Sequence, residues 1–251
     1  MEATEFIRVE ERSGGHMVQI HCEASCTILV NVHALRAASK PFKELLDRVK
    51  PDLDIDLDVL PKGFKIFADW LKEGGVPLSA ATDFEIVQDL TVGRDLKIVQ
   101  DLCSAYQVGR QFKVSPHFLD EVMDKIVHAV LHSWVPKNHG RHRDGQDTSA
   151  IAKQLRTTFE QGSVGRTFLV DWLVHGDLTD VGKEPIWGET LALEAAKEAE
   201  LHRKVCMGMF REKLCKTSVP PWSEDGNECD YHAHVASDLA CYSKQSYFPL
   251  D

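Results

Sequence analysis

The sequence predicts an α+β chain in which a small sheet flanked by helices is followed by a helical extension. Three observations carry that expectation. Residues 27–32 put Ile28, Val30 and Val32 on one face at period two, as a half-buried strand requires. Residues 52–58, Asp-Leu-Asp-Ile-Asp-Leu-Asp, alternate strictly between carboxylate and aliphatic. From Pro61 onward the apolar residues recur instead at helical spacing.

Taken in order, the first strand ends where His33 turns the chain, and residues 34–39, Ala-Leu-Arg-Ala-Ala-Ser, form a short helical run. Pro41 stands where a second helix starts, because its missing N–H costs nothing at a first helical position. Phe42, Leu45, Leu46 and Val49 are the apolar stripe of that helix. The acidic segment 52–58 then reads as a strand that buries one side only. Pro61 opens a further helix with Phe64, Phe67, Ala68 and Leu71 at i, i+3, i+4 and i+7, and Gly74-Gly75 closes it.

The run at residues 30–46, Val-Asn-Val-His-Ala-Leu-Arg-Ala-Ala-Ser-Lys-Pro-Phe-Lys-Glu-Leu-Leu, resembles the strand, His, hydrophobic, small, Ser, x, x-Phe core of BTB/POZ domains. Ile55, Leu57, Leu60, Gly63, Phe64, Phe67 and the run Trp70-Leu71-Lys72-Glu73-Gly74 fall where that family places its next strand and its Phe…Trp-Leu-Tyr-x-Gly helix. The chain is most similar to the fungal group of BTB proteins, in which a helical extension and a Cys/His-containing tail follow. Lys72 stands where the family usually has an aromatic, and residues 19–22 lack the acidic residue that many members carry on the first strand. The resemblance covers residues 15–135 and implies a domain there; residues 136–147, rich in Gly, His, Asn and charge, read as a linker, 148–216 as a helical extension and 217–251 as a loop-rich tail. The resemblance also implies a non-enzymatic interaction scaffold with protein partners, one that forms a homo-oligomer through this module. Some relatives are substrate adaptors of cullin-type ubiquitin ligases. No kelch or finger array is appended here, so scaffold is preferred to adaptor. A transcriptional co-regulator acting through protein contacts is the remaining alternative of this class.

With 251 residues, 43% hydrophobic and 27% charged, the chain is long enough to bury a substantial core. No apolar run is long enough to span a bilayer, and the first residues, Met-Glu-Ala-Thr-Glu, are acidic where a signal peptide is basic and then apolar. The expectation is an intracellular protein, cytoplasmic or nuclear, with no membrane association. A net charge of -10 argues against direct nucleic-acid binding, which needs a basic face to neutralise phosphates. The basic loop 137–143 reads as a solvated linker.

Past the first module, Ser115-Pro116 is an N-cap and N1 pair that opens a helix striped by Leu119, Val122, Met123, Ile126 and Val130. Ile-Val-Gln-Asp-Leu at 86–90 returns at 98–102, but two imperfect copies do not make a solenoid. Ile151, Leu155 and Phe159 lie along one later helix, and Phe168, Leu169, Trp172 and Leu173 along another. Residues 187–214 are suited to one long helix. Trp70, Trp134, Trp172, Trp187 and Trp222 read as core or interface anchors.

The constellation with metal-ligand chemistry is Cys229, His232, His234 and Cys241. It offers two thiolates and two imidazoles, the donors that Zn2+ takes in a tetrahedral structural site. The fungal BTB group often ends in such a tail. A small zinc-binding protein or a metalloenzyme using this cluster is therefore the competing class. The alternative for the same residues is exposed histidines and packed cysteines. Cys22, Cys26, Cys103, Cys206 and Cys215 fall on apparent core faces, and an odd total of 7 argues for reduced thiols.

No catalytic residue emerges. The acidic run 52–58 has Leu57 where a calcium loop needs its Gly. Residues 162–166, Gly-Ser-Val-Gly-Arg, have neither a nucleophile elbow nor a phosphate-loop Lys, and read as an interhelical turn with Ser163 as the cap. His33 and Asp47 are conceivable acid/base groups, but His33 occupies a strand-to-helix junction, where a structural role is expected.

Overall fold

The computed structural model describes residues 6–7, 17–22, 26–48, 55–76, 94–132, 145–175 and 231–232. These residues form an α+β protein with a four-stranded sheet and seven helices. They fall into two compact units, the first of residues 6–76 and 101–125, the second of residues 94–100, 126–175 and 231–232.

The first unit is built on an antiparallel hairpin of β2 (Met17–Cys22) and β3 (Cys26–Asn31), in register from Met17 opposite Asn31 to Cys22 opposite Cys26. Val18, Ile20 and Cys22 alternate with more exposed residues, so one face of β2 is buried against the core together with Ile28 and Val30 of β3. Two short parallel strands flank the hairpin in the order β1-β3-β2-β4. They are β1 (Phe6–Ile7), paired to β3, and β4 (Ile55–Asp56), paired to β2. Of the strand expected at 52–58, the structure shows Ile55–Asp56; Ile55 is buried and Asp56 and Asp58 are exposed, as the alternation requires, while Leu57 is half-buried. Asp52, Leu53 and Asp54 lie outside the described residues.

Asn31 ends β3 and starts α1 (Val32–Ala38). Its Oδ1 accepts from the His33 and Ala34 amides at 2.9 and 3.1 Å, satisfying two of the N–H groups that a helix start leaves without partners. Val32, expected as the last strand residue, is the first residue of α1 for this reason. The same device joins α1 to α2 (Lys40–Arg48): Ser39 Oγ accepts from the Phe42 amide at 3.2 Å. Pro41 is the second rather than the first helical residue, where its missing N–H is still one that no helical carbonyl awaits. Phe42 and Leu46 are buried, Leu45 is half-buried, and Val49 lies outside the described residues.

Helix α3 (Pro61–Glu73) begins with its proline and stops at Gly74. There a φ of 73° turns the chain left-handed and the Gly74 amide donates to Trp70 O. Phe64, Phe67 and Ala68 are buried, as the spacing requires, and Leu71 is half-buried. The rings of Phe64 and Phe67 gather with Phe42, Phe112 and Phe118 into one aromatic core, in which Phe42 stacks on Phe112 at 4.3 Å between centroids. Gly63 lets α3 approach α4 (Arg94–Gln111) closely, since a Cβ there would meet the Ser104 backbone at 2.5 Å. Helix α5 (Pro116–His132) buries Leu119, Val122, Met123, Ile126 and Val130, the full stripe read from the sequence.

In the second unit α6 (Gly145–Thr158) packs on α7 (Val164–His175). Helix α6 starts at Gly145, so it takes in three positions that the sequence assigned to the linker. The turn between the helices forms as read. Gly162 has φ 79°, and Ser163 Oγ accepts from the Arg166 amide at 3.2 Å. Ile151, Leu155, Phe159, Phe168, Leu169, Trp172 and Leu173 are all buried. The first copy of the repeat at 86–90, the long helix at 187–214 and Trp134, Trp187 and Trp222 lie outside the described residues.

Candidate functional site

A surface for protein contact needs backbone or side chains that the fold leaves on the outside. Among the described residues the sheet of the first unit ends in β1 and β4, each only two residues long. Short edges limit indiscriminate strand pairing. At the β1 edge, Phe6 and Ile7 pair in parallel with Thr27 and Ile28. The N-terminal arm is thus a strand added to the sheet of its own chain.

Helices α1 and α2 present the neighbouring polar surface. Arg36 holds Asp47 through an ion pair of 2.9 Å, His33 and Ala37 are exposed on α1, and Lys40, Lys43, Glu44 and Arg48 are exposed on α2. His33 and Asp47, the conceivable acid/base residues, therefore have different places: His33 caps into Asn31 through its amide, and Asp47 is taken up by Arg36. A half-exposed pair of this kind contributes little to stability.

Glu121, a residue that the sequence did not single out, ties the end of α3 to α5. Its Oε2 accepts from Trp70 Nε1–H at 3.1 Å and its Oε1 from the Val76 amide at 2.6 Å, across 51 and 45 residues of sequence. This arrangement satisfies the polar edge of Trp70, whose ring otherwise packs against Phe67 and Phe118. On the outer side of α3, burial pushes the Asp69 carboxyl above its ordinary range. Glu73 adds to the shift, while Lys65, 3.9 Å away, and Lys72 oppose it.

Of the four proposed zinc ligands, His232 is described, and Cys229, His234 and Cys241 lie outside the described residues. His232 is 2% exposed. It follows Tyr231, whose hydroxyl donates to Asp171 Oδ2 at 3.1 Å and whose ring meets Phe168 edge-on at 5.2 Å. This part of the tail is therefore seated on α7 by an aromatic contact and a charge-assisted hydrogen bond. Among the described residues no group of three or more His, Cys, Asp or Glu side chains is arranged to hold a metal ion.

Cys22 and Cys103 are buried, as expected, but Cys26 is partly exposed at the end of the hairpin; Cys206 and Cys215 lie outside the described residues. No helix among the described residues is long and apolar enough to cross a membrane. Comparison with protein-family models, with curated proteins and with solved structures finds no match to this chain.

Proposed function

We propose that this chain is a non-enzymatic protein-interaction scaffold whose first unit is a BTB/POZ-like module that self-associates. The observation that carries the reading is the N-terminal arm, which adds Phe6 and Ile7 as an outer strand parallel to β3. Main-chain hydrogen bonds of that kind do not depend on which copy supplies the strand, so two chains that exchange arms lose nothing at the sheet and gain an isologous contact. The order of strand, paired helices, short edge strand and Phe-rich helix from Cys26 to Gly74 supports the same reading. Its partners are proteins, a second copy first among them, with no direct contact to nucleic acid. Mixing two differently tagged full-length copies tests it. Co-purification of both tags is expected, with the exchange weakened by deletion of residues 1–12; recovery of each tag alone would overturn the reading.

The second reading is a structural Zn2+ held by Cys229, His232, His234 and Cys241. What favours it is that His232 is buried in a tail, residues 217–251, that has five Ser and three Pro but only two Val, two Leu and no Ile. Tyr231 already anchors this segment to α7, so the ion would fix the rest of the tail rather than its first contact. Thiolates and neutral imidazoles at these positions would supply a closed set of four donors.

A further inference from the structure

We propose that Cys22 and Cys26 are a modification site: a dithiol at the end of the β2–β3 hairpin that a hydroperoxide converts reversibly into a cross-strand disulfide. The two residues are direct register partners. The backbone also fixes what kind of partners they are. His21 lies opposite Asp56 in the parallel pairing of β2 with β4, and its carbonyl accepts from the Leu57 amide at 2.8 Å. The backbone N–H and C=O of His21 therefore point toward β4. That makes His21 and Thr27 a non-hydrogen-bonded pair on the β3 side, with side chains close together, and His21 Nδ1 does lie 2.9 Å from Thr27 Oγ1. The next pair along, Cys22 with Cys26, is then a hydrogen-bonded one.

In such a pair the Cα atoms stand about 5.5 Å apart, inside the range of about 4.4–6.8 Å that disulfides span. Directly opposite Cβ atoms, however, stand about 4.5–5.5 Å apart, toward the wide end in hydrogen-bonded pairs, where a relaxed disulfide has about 3.8 Å. Both sulfurs lie on the same face, because register partners share a face. Closing the bond draws the strand ends together by roughly 1 Å and leaves it strained. A strained disulfide is easily reduced, which suits a reversible modification rather than a permanent staple.

The two thiols differ in access. Cys26 is partly exposed and Cys22 is buried. The thiolate of Cys26 attacks the distal oxygen of the peroxide, breaking the O–O bond, becoming a sulfenic acid and releasing hydroxide or an alkoxide. The Cys22 sulfur then attacks the Cys26 sulfur; the S–O bond breaks and water leaves with the thiol proton. In sum, two thiols and one hydroperoxide give one disulfide, one water and one alcohol, or a second water when the oxidant is hydrogen peroxide. A dithiol reductant reverses the change by exchange.

The test uses the full chain treated with hydrogen peroxide, then a maleimide, then denaturation and cleavage after Glu23, which separates the two cysteines in sequence. The expected result is equal loss of both thiols, with the two fragments joined until a reductant is added, while Cys103, buried in α4, stays a thiol. Recovery of Cys22 and Cys26 as maleimide adducts would overturn the proposal. So would Cys26 carried to a sulfinic acid beside an alkylated Cys22, or Cys26 linked to another molecule. The variant Cys22→Ser is expected to hold Cys26 at the sulfenic acid, trapped by dimedone. Absence of that adduct overturns the order of attack.

Discussion

Replacing Phe67 by Ala removes the ring at the centre of the first unit. Phe67 is fully buried and meets four aromatic neighbours: Phe118 at 5.3 Å, Phe42 at 5.6 Å, Phe64 at 5.7 Å and Trp70 at 6.2 Å between centroids. Truncation forfeits the transfer free energy of the ring and leaves a cavity that these neighbours, themselves anchored on α2, α3 and α5, cannot collapse to fill. The cost is about 3–5 kcal/mol. The upper half of that range applies, because each lost edge-on or stacked contact adds about 0.5–1.5 kcal/mol beyond area alone, though not additively. With a urea slope of about 2 kcal/mol/M, a loss of about 4 kcal/mol lowers the unfolding midpoint by about 2 M. Against a typical domain stability of about 5–15 kcal/mol this is a large fraction. Urea titration followed by tryptophan fluorescence reads it directly, since Trp70 lies beside the lost ring. Leu60→Ala is the control: Leu60 is 49% exposed and its truncation is expected to cost within about 0.5 kcal/mol. A Phe67→Ala midpoint as close to the parent as the control's would refute the aromatic core described here.

Three other outcomes are expected. Gly63→Ala places a Cβ against the Ser104 backbone, forcing α3 and α4 apart, and should cost about 1–3 kcal/mol in the same titration. Asp69 has a raised pKa, so the folded state holds this proton more tightly than the unfolded chain; its favourable contribution is full below the ordinary value of 3.8 and is lost as pH rises through the folded pKa. Asp69→Asn, which stays neutral, is therefore expected to stabilise the protein at neutral pH and to lose that advantage in acid. A midpoint difference independent of pH would contradict it. For the tail, elemental analysis of the purified protein is expected to give one zinc per chain. Cys229→Ser should release it and leave the first unit folded, and acidification should weaken binding as protons compete for thiolate and imidazole. A zinc-free protein whose tail resists protease in chelator would remove the metal.

The helices were legible because their burial is periodic: the stripes at Phe64, Phe67 and Ala68, at Leu119 to Val130, and at Phe168 to Leu173 all face inward as read. Local capping was legible too, at Ser163 and at Gly74, since each acts within four residues of itself. What left no trace were contacts that only the folded chain creates. Glu121 reaches Trp70 and Val76, and Tyr231 reaches Asp171, across 45 to 60 residues, and no spacing rule marks such polar pairs. The Cys22–Cys26 pairing depends on hairpin register, which one residue of slip would abolish. Val32 illustrates competition between levels: its side chain suits a strand, yet the Asn31 cap starts the helix there. At the candidate zinc cluster the sequence provides four donors, and the structure adds the burial of one, His232.

Light scattering coupled to size exclusion, over a micromolar dilution series, tests most directly the claim that this chain is a self-associating interaction module. The mass expected is twice that of the 28.2 kDa chain or a higher multiple. Deletion of residues 1–12, which removes the Phe6–Ile7 strand, should shift the equilibrium toward single chains. A mass of one chain at every concentration, with the deletion variant indistinguishable from the parent, would contradict it.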